Sequence, residues 1–156
     1  MNMSRIVRST ANIIFPFILV FGFYIIIHGH LTPGGGFQGG AVAATGFVLM
    51  LVAFSPEIIK KKFSANSMKY TEALGLLLFI VTAFVAIALG ATFFFNWLAN
   101  GGIIFGESVA FGANPGVLNT AGTIPLMNIA VGIEVIGAMG LIILHMLSGI
   151  EEVKAQ

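Results

Sequence analysis

Very few side chains in this 156-residue chain could do chemistry. The first is Glu134, about ten positions into an apolar stretch that runs from Ile124 to Leu147. At 1.5 Å per helical residue it lies ~15 Å in, near the middle of ~30 Å of hydrocarbon. Insertion scales put a charge at that depth at roughly 2.5–3.5 kcal/mol, so the carboxyl must be protonated, paired or facing water. His145 follows eleven positions later, close to three turns, and shares the same stripe. Two readings stay open. The pair forms part of a proton relay, or Glu134 is a single buried carboxyl hydrogen-bonded to a neighbouring subunit and His145 is interfacial. Ala130, Val131, Gly137 and Ala138 surround Glu134 with a mostly small face that admits another helix. Glu72 is expected to open a third span, where a carboxylate complements the helix N-terminus.

The second group of residues is the run His28-Gly-His30-Leu-Thr-Pro33-Gly34-Gly35-Gly36-Phe-Gln38-Gly39-Gly40. Gly34, Gly36 and Gly39 satisfy the spacing of the dinucleotide fingerprint, but that pattern works only between a strand and a helix with an acid ~20 positions on. Here it joins two apolar stretches. His28 and His30 are about 200° apart on a helix, so they cannot share a metal from one face. Packing is the better use. Pro33 and the three glycines let the chain reverse tightly, and small faces continue through Gly39, Ala43 and Gly46, and through Gly40 and Ala44. No metal or cofactor is expected.

The elements that must position these residues follow from composition. Hydrophobic residues make up 58% of the chain and charged ones 8%, with a mean hydropathy of +1.03. Soluble domains carry about 25% charged residues. A net charge of +1 and the absence of cysteine exclude a nucleic-acid binder, a soluble enzyme and a disulfide-stapled domain. The pattern predicts an all-α integral membrane protein, a single four-helix transmembrane domain over residues 1–156. Spans are expected at about 11–27, 37–54, 71–98 and 124–147. The first run lacks a small-residue cleavage site and reads as a retained helix, with Pro16 a candidate kink.

Every Lys and Arg falls on one side of those spans: Arg5 and Arg8, then Lys60, Lys61, Lys62 and Lys69, then Lys154. The positive-inside rule therefore places both termini in the cytoplasm of a multi-pass protein of the cell membrane. The basic connector reads as a short surface helix, with Ser55 as cap, Pro56 at the first position and Glu57 four residues before Lys61. The opposite loop, Ala99 to Thr123, carries Ile103, Ile104, Phe105 and Phe111 and one charge, Glu107. It is expected to fold back onto helices or a partner.

The thirteen residues HGHLTPGGGFQGG, directly after a first span, resemble the signature of the B subunit of Mrp (also called Mnh) multisubunit sodium/proton antiporters. The stretch Ala121 to Val135, AGTIPLMNIAVGIEV, is similar to the last helix of archaeal members. The resemblance implies a membrane subunit of a hetero-oligomeric assembly, in which larger antiporter-like subunits carry the buried Lys and Glu chains. It extends to archaeal membrane-bound hydrogenases and sulfane-sulfur reductases. The expected function is a non-catalytic subunit of a cation/proton antiporter module, free-standing or within such a respiratory complex, and not an enzyme by itself. Partners would be other membrane subunits, the lipid bilayer, and sodium ions and protons, with no nucleic acid. Glu134 and His145 are the candidate ion or proton path, and the signature brings no catalytic residue. One deep carboxyl is too little for a complete route. The alternative is a self-sufficient homodimeric transporter working through paired Glu134 residues.

Overall fold

Lipid reverses the usual rule for what lies inside. Without water to expel from between helices, close backbone packing drives association, and small residues occupy the contacts. The computed structural model describes residues 3–31, 34–54, 58–60, 63–98 and 121–155, the last seven as backbone only. Its core follows that logic. The buried set is dominated by alanine and glycine, and among the described residues no large side chain is fully buried. The large apolar residues point outward instead, among them Phe17, Val20 and Phe21 on the first helix and Leu77 and Phe84 on the third.

Among the described residues, four helices are long and apolar enough to cross a membrane. α1 spans Arg5–Ile27 and α2 spans Gly35–Ala53. α3 spans Ala65–Ala88 and α4 spans Ile124–Ala155. Ser4 caps α1 by accepting from the Val7 N–H at 3.4 Å, and Pro16 lies inside α1 without ending it. Ser64 caps α3, its Oγ accepting from the Asn66 N–H at 3.2 Å.

α1 packs on α2, α2 on α4, and α4 on α3, while α3 has no substantial contact with α1 or α2 among the described residues. The helices form an open row in the order 1-2-4-3. Paired residues give the directions. Gly22 meets Ala43 whereas Gly46 meets Phe15, so α1 and α2 are antiparallel. Gly36 meets Asn128 and Gly40 meets Val135, so α2 and α4 are parallel. Gly140 meets Met68 and Gly75 meets Ala130, so α3 runs against α4. One end of the row therefore carries Arg5, Arg8, Lys60 and Lys69.

Several boundaries differ from expectation. α3 stops at Ala88, ten residues before Leu98, because Gly90 turns left-handed at φ 80° and the Ala91 N–H bonds back to the Ala86 oxygen at 2.9 Å. That is a glycine helix stop, which a hydropathy window does not register. α3 also begins at Ala65 and not near Thr71. Glu72 thus sits two turns inside α3, half-buried, and not at its N-terminus. α1 and α2 start at Arg5 and Gly35, and α4 continues to Ala155, beyond the expected Leu147. The expected connector caps Ser55, Pro56 and Glu57, with Lys61, lie outside the described residues, as do 99–120 with Ile103, Ile104, Phe105, Glu107 and Phe111.

The segment 89–98 folds back. Phe93 lies on Phe84 at 5.4 Å between ring centroids, and Phe94, at φ 59°, lies on Phe79 at 5.8 Å. Trp97 Nε1 donates to the Thr82 oxygen at 3.1 Å. Asn96 then clasps the start of α4. Its Oδ1 accepts from the Thr123 N–H at 2.7 Å and from Thr123 Oγ1 at 3.1 Å, and its Nδ2 donates to the Ala121 oxygen at 3.2 Å. Asn96→Ala removes all three bonds and uncaps α4, at a cost of about 1–2 kcal/mol. For a chain of this size that lowers the thermal midpoint of the solubilised protein by about 2–8 °C. An unchanged midpoint would show that the clasp contributes nothing.

Candidate functional site

Consecutive residues on a helix point ~100° apart, so a glycine doublet faces two neighbours at once, and repeating it four residues later keeps both close. α2 begins with that arrangement. Gly35 and Gly39 face α1: a Cβ on Gly39 would lie 2.6 Å from the Gly22 oxygen, and one on Gly35 would fall on the Gly29 Cα. Gly36 and Gly40 face α4: a Cβ on Gly36 would lie 2.8 Å from the Asn128 oxygen, and one on Gly40 would lie 2.9 Å from the Gly132 oxygen. Phe37 and Gln38, between the doublets, are exposed. Of the three consecutive glycines only Gly34 works as a turn residue, at φ 79°; Gly35 and Gly36 are already helical. Pro33 lies outside the described residues.

The histidines close the end of α1. A short 3-10 turn, His28–His30, follows that helix. His28 Nδ1–H donates to the Tyr24 oxygen at 3.1 Å, with its ring on Tyr24 at 4.1 Å between centroids. His30 Nδ1–H donates to the Ile27 oxygen at 3.1 Å. The Tyr24 oxygen also accepts the His28 backbone N–H, so the His28 ring adds a second bond to it, and the His30 ring supplies a donor to the carbonyl of the last residue of α1. Among the described residues no three His, Asp or Glu side chains gather as metal ligands.

The sequence pattern did not single out Asn128. It sits in the first turns of α4, with its Nδ2 buried against Gly29 and without a hydrogen-bond partner among the described residues. A polar residue inside an apolar run was the available signal.

Glu134 lies at one of two close contacts between α3 and α4. Its backbone packs directly against Gly75, and a Cβ on Gly75 would lie 2.6 Å from the Ala130 oxygen. One turn away, Gly137 packs against the backbone of Glu72 in the same manner. The small residues around Glu134 thus serve α3. The Glu134 side chain is half-buried, and its carboxyl has no hydrogen bond or ion pair among the described residues. His145 is exposed, and its Nδ1–H donates to the Leu141 oxygen at 2.8 Å. Along the axis it stands about 16 Å from Glu134, and residues 135–144 contain no titratable side chain. The two share a stripe but are not brought together.

Comparison with known proteins bears on these features. A family model described as a domain related to the MnhB subunit of Na+/H+ antiporters matches residues 6–141. An uncharacterised protein of Methanocaldococcus jannaschii is 36% identical over 126 residues, which cover 78% of this chain and 44% of that protein. The B-type Na+/H+ antiporter component of Bacillus subtilis is 33% identical over 88 residues, 56% of this chain and 61% of that relative. A chain in the structure of the membrane-bound sulfane sulfur reductase, an archaeal respiratory membrane complex, superposes with a TM-score of 0.71 at 34% identity. The match covers 91% of this chain and 57% of the solved one. The chain therefore spans about half the length of these relatives.

Proposed function

This chain belongs to the family of domains related to the MnhB subunit of Na+/H+ antiporters, and from that premise we propose that it is a non-catalytic membrane subunit of a multisubunit cation/proton antiporter module. The observation that carries the proposal is the match, over 91% of its length, to a chain within a respiratory membrane complex. The chemistry of the chain agrees. It is a multi-pass membrane protein whose glycine doublets lock helices together, and whose carboxyl at mid-membrane, Glu134, has no partner among the described residues. Such a carboxyl meets its partner in a neighbouring subunit or in a water path that two subunits share.

In this reading the basic end of the row faces the cytoplasm of a cell-membrane protein, with both termini there. Sodium ions and protons are the exchanged species. Glu134 is this chain's contribution to their route, His145 marks its cytoplasmic side, and the residues from His28 to Gly40 are structural. The module is free-standing or built into a respiratory hydrogenase or sulfane reductase.

A tagged chain isolated from its native membranes in mild detergent tests this. It is expected to travel with other membrane subunits, far above its own 16.4 kDa, and membranes lacking it are expected to lose cation-dependent proton exchange. The accompanying chains identify the parent complex. Proton-coupled exchange by the chain alone in liposomes would instead establish a self-sufficient transporter and overturn the proposal.

A further inference from the structure

Glu72 and Glu134 head the same four-residue pattern, Glu72-Ala-Leu-Gly75 on α3 and Glu134-Val-Ile-Gly137 on α4. Each glycine packs on the other helix's glutamate. A Cβ on Gly75 would lie 2.7 Å from the Glu134 Cα, and one on Gly137 would lie 2.9 Å from the Glu72 Cα. Antiparallel helices that exchange such contacts are related by a local two-fold axis normal to the plane of both, and that axis leaves the two glutamates on one face of the pair. Gly75 is level with Glu134 and stands three residues from Glu72, so the two acids lie within about one turn, ~5 Å, along the axis. Glu72 is therefore a second carboxyl near mid-membrane. Both side chains are half-buried, and neither carboxyl has a hydrogen bond or ion pair among the described residues. The other titratable groups on these two helices lie toward the lysine-bearing end. Lys69 is three residues before Glu72 on α3, and His145 is eight residues beyond Gly137 on α4, ~12 Å from the level of Glu72.

Carboxyls at this depth are costly unless water or a partner reaches them, and they mark ion and proton paths. α4 by itself carries no titratable side chain between Glu134 and His145, but α3 supplies one from across the seam. We propose that Glu72 is a second proton-carrying residue of the route and exchanges a proton with Glu134 through water along the face they share. The proposal rests on the antiporter reading and adds a residue to it. In the step, the O–H bond of the Glu134 acid breaks and one forms on the Glu72 carboxylate, with water carrying the proton between them. The negative charge passes the other way, from Glu72 to Glu134, and the total charge is unchanged. The glycine contacts fix the register of the two backbones, so the step needs only the side chains to turn.

The test uses the chain isolated from membranes with the subunits that accompany it and reconstituted in liposomes, where cation-coupled proton exchange is read. The contact with Gly137 is made by the Glu72 backbone, so Glu72→Gln should leave assembly unchanged. Exchange should fall by about tenfold in that variant, and Glu72→Asp, which keeps the acid, should recover most of it. A group that only packed would not distinguish the two by charge. Residues that act as one unit are not additive, so Glu72→Gln combined with Glu134→Gln should be no slower than the slower single variant, within about twofold. A second measurement needs no variant. Dicyclohexylcarbodiimide adds to carboxylic acids within lipid, and mass spectrometry of the wild-type complex should find its adduct on Glu72 as well as on Glu134. Normal exchange in Glu72→Gln beside impaired Glu134→Gln, or no adduct on Glu72, would overturn the role of Glu72 and leave the antiporter reading in place. Losses that multiply to about a hundredfold in the double variant would overturn the shared route. Absence of exchange in the wild-type complex would overturn the antiporter reading and this role with it.

Discussion

Gly35→Val is expected to abolish recovery of a folded, monodisperse chain. The added Cβ falls on the Gly29 Cα and within 3.0 Å of the Ile25 oxygen, so backbone meets backbone and no side chain can swing aside. Overpacking in a core costs about 1–3 kcal/mol when neighbours can adjust; here α1 and α2 must separate, so the penalty lies at or above that range. Gly39→Val should behave alike, since its Cβ would meet the Gly22 oxygen. Two controls isolate the cause. Phe37→Ala sits in the same motif but on the exposed face and should be tolerated. Gly90→Ala has open space around it and suffers only the strain of φ 80°, roughly 1–2 kcal/mol. Membrane yield and elution profile in detergent compare all four. Normal behaviour of Gly35→Val would show that α1 and α2 can part at that point without loss of the fold.

The second large effect concerns Glu134. Glu134→Gln keeps the size of the side chain and removes its charge, and the contact with Gly75 is made by the Glu134 backbone. Assembly and membrane level should therefore stay unchanged. Cation-coupled proton exchange by the intact complex should fall by about tenfold or more, a barrier increase of ~1.4 kcal/mol. His145→Gln should leave exchange near normal, because His145 is exposed, tied to its own helix and distant from Glu134. The two variants separate the readings that the sequence left open. Unchanged exchange in Glu134→Gln would remove the carboxyl from the ion route and leave it a structural group. Loss of exchange in both would restore the relay.

The hairpin shows how far residue patterns carry. Gly39, Ala43 and Gly46, and Gly40 with Ala44, announce close helix packing in the sequence, while Gly35 and Gly36 read there as turn residues. The pattern does not announce that Gly35 and Gly39 serve α1 while Gly36 and Gly40 serve α4. The stop at Ala88 was legible in Gly90, but the apolar residues that follow read as a continued span. Asn128 was overlooked because a polar residue in the first turns of a span resembles an interfacial one.

The sequence by itself determined that the chain lives in lipid, that it has four stretches fit to cross a membrane, that its cations gather at one end, and which family it belongs to. Hydropathy and charge act on each stretch separately, so those features need no knowledge of neighbours. Only the tertiary structure decided the 1-2-4-3 row, the partner of each glycine, and the packing of the Glu134 backbone on Gly75. In lipid the large apolar residues face outward and the contacts fall to glycine and alanine. The helices are then greasy on every side, and no periodicity in the sequence says which face turns inward.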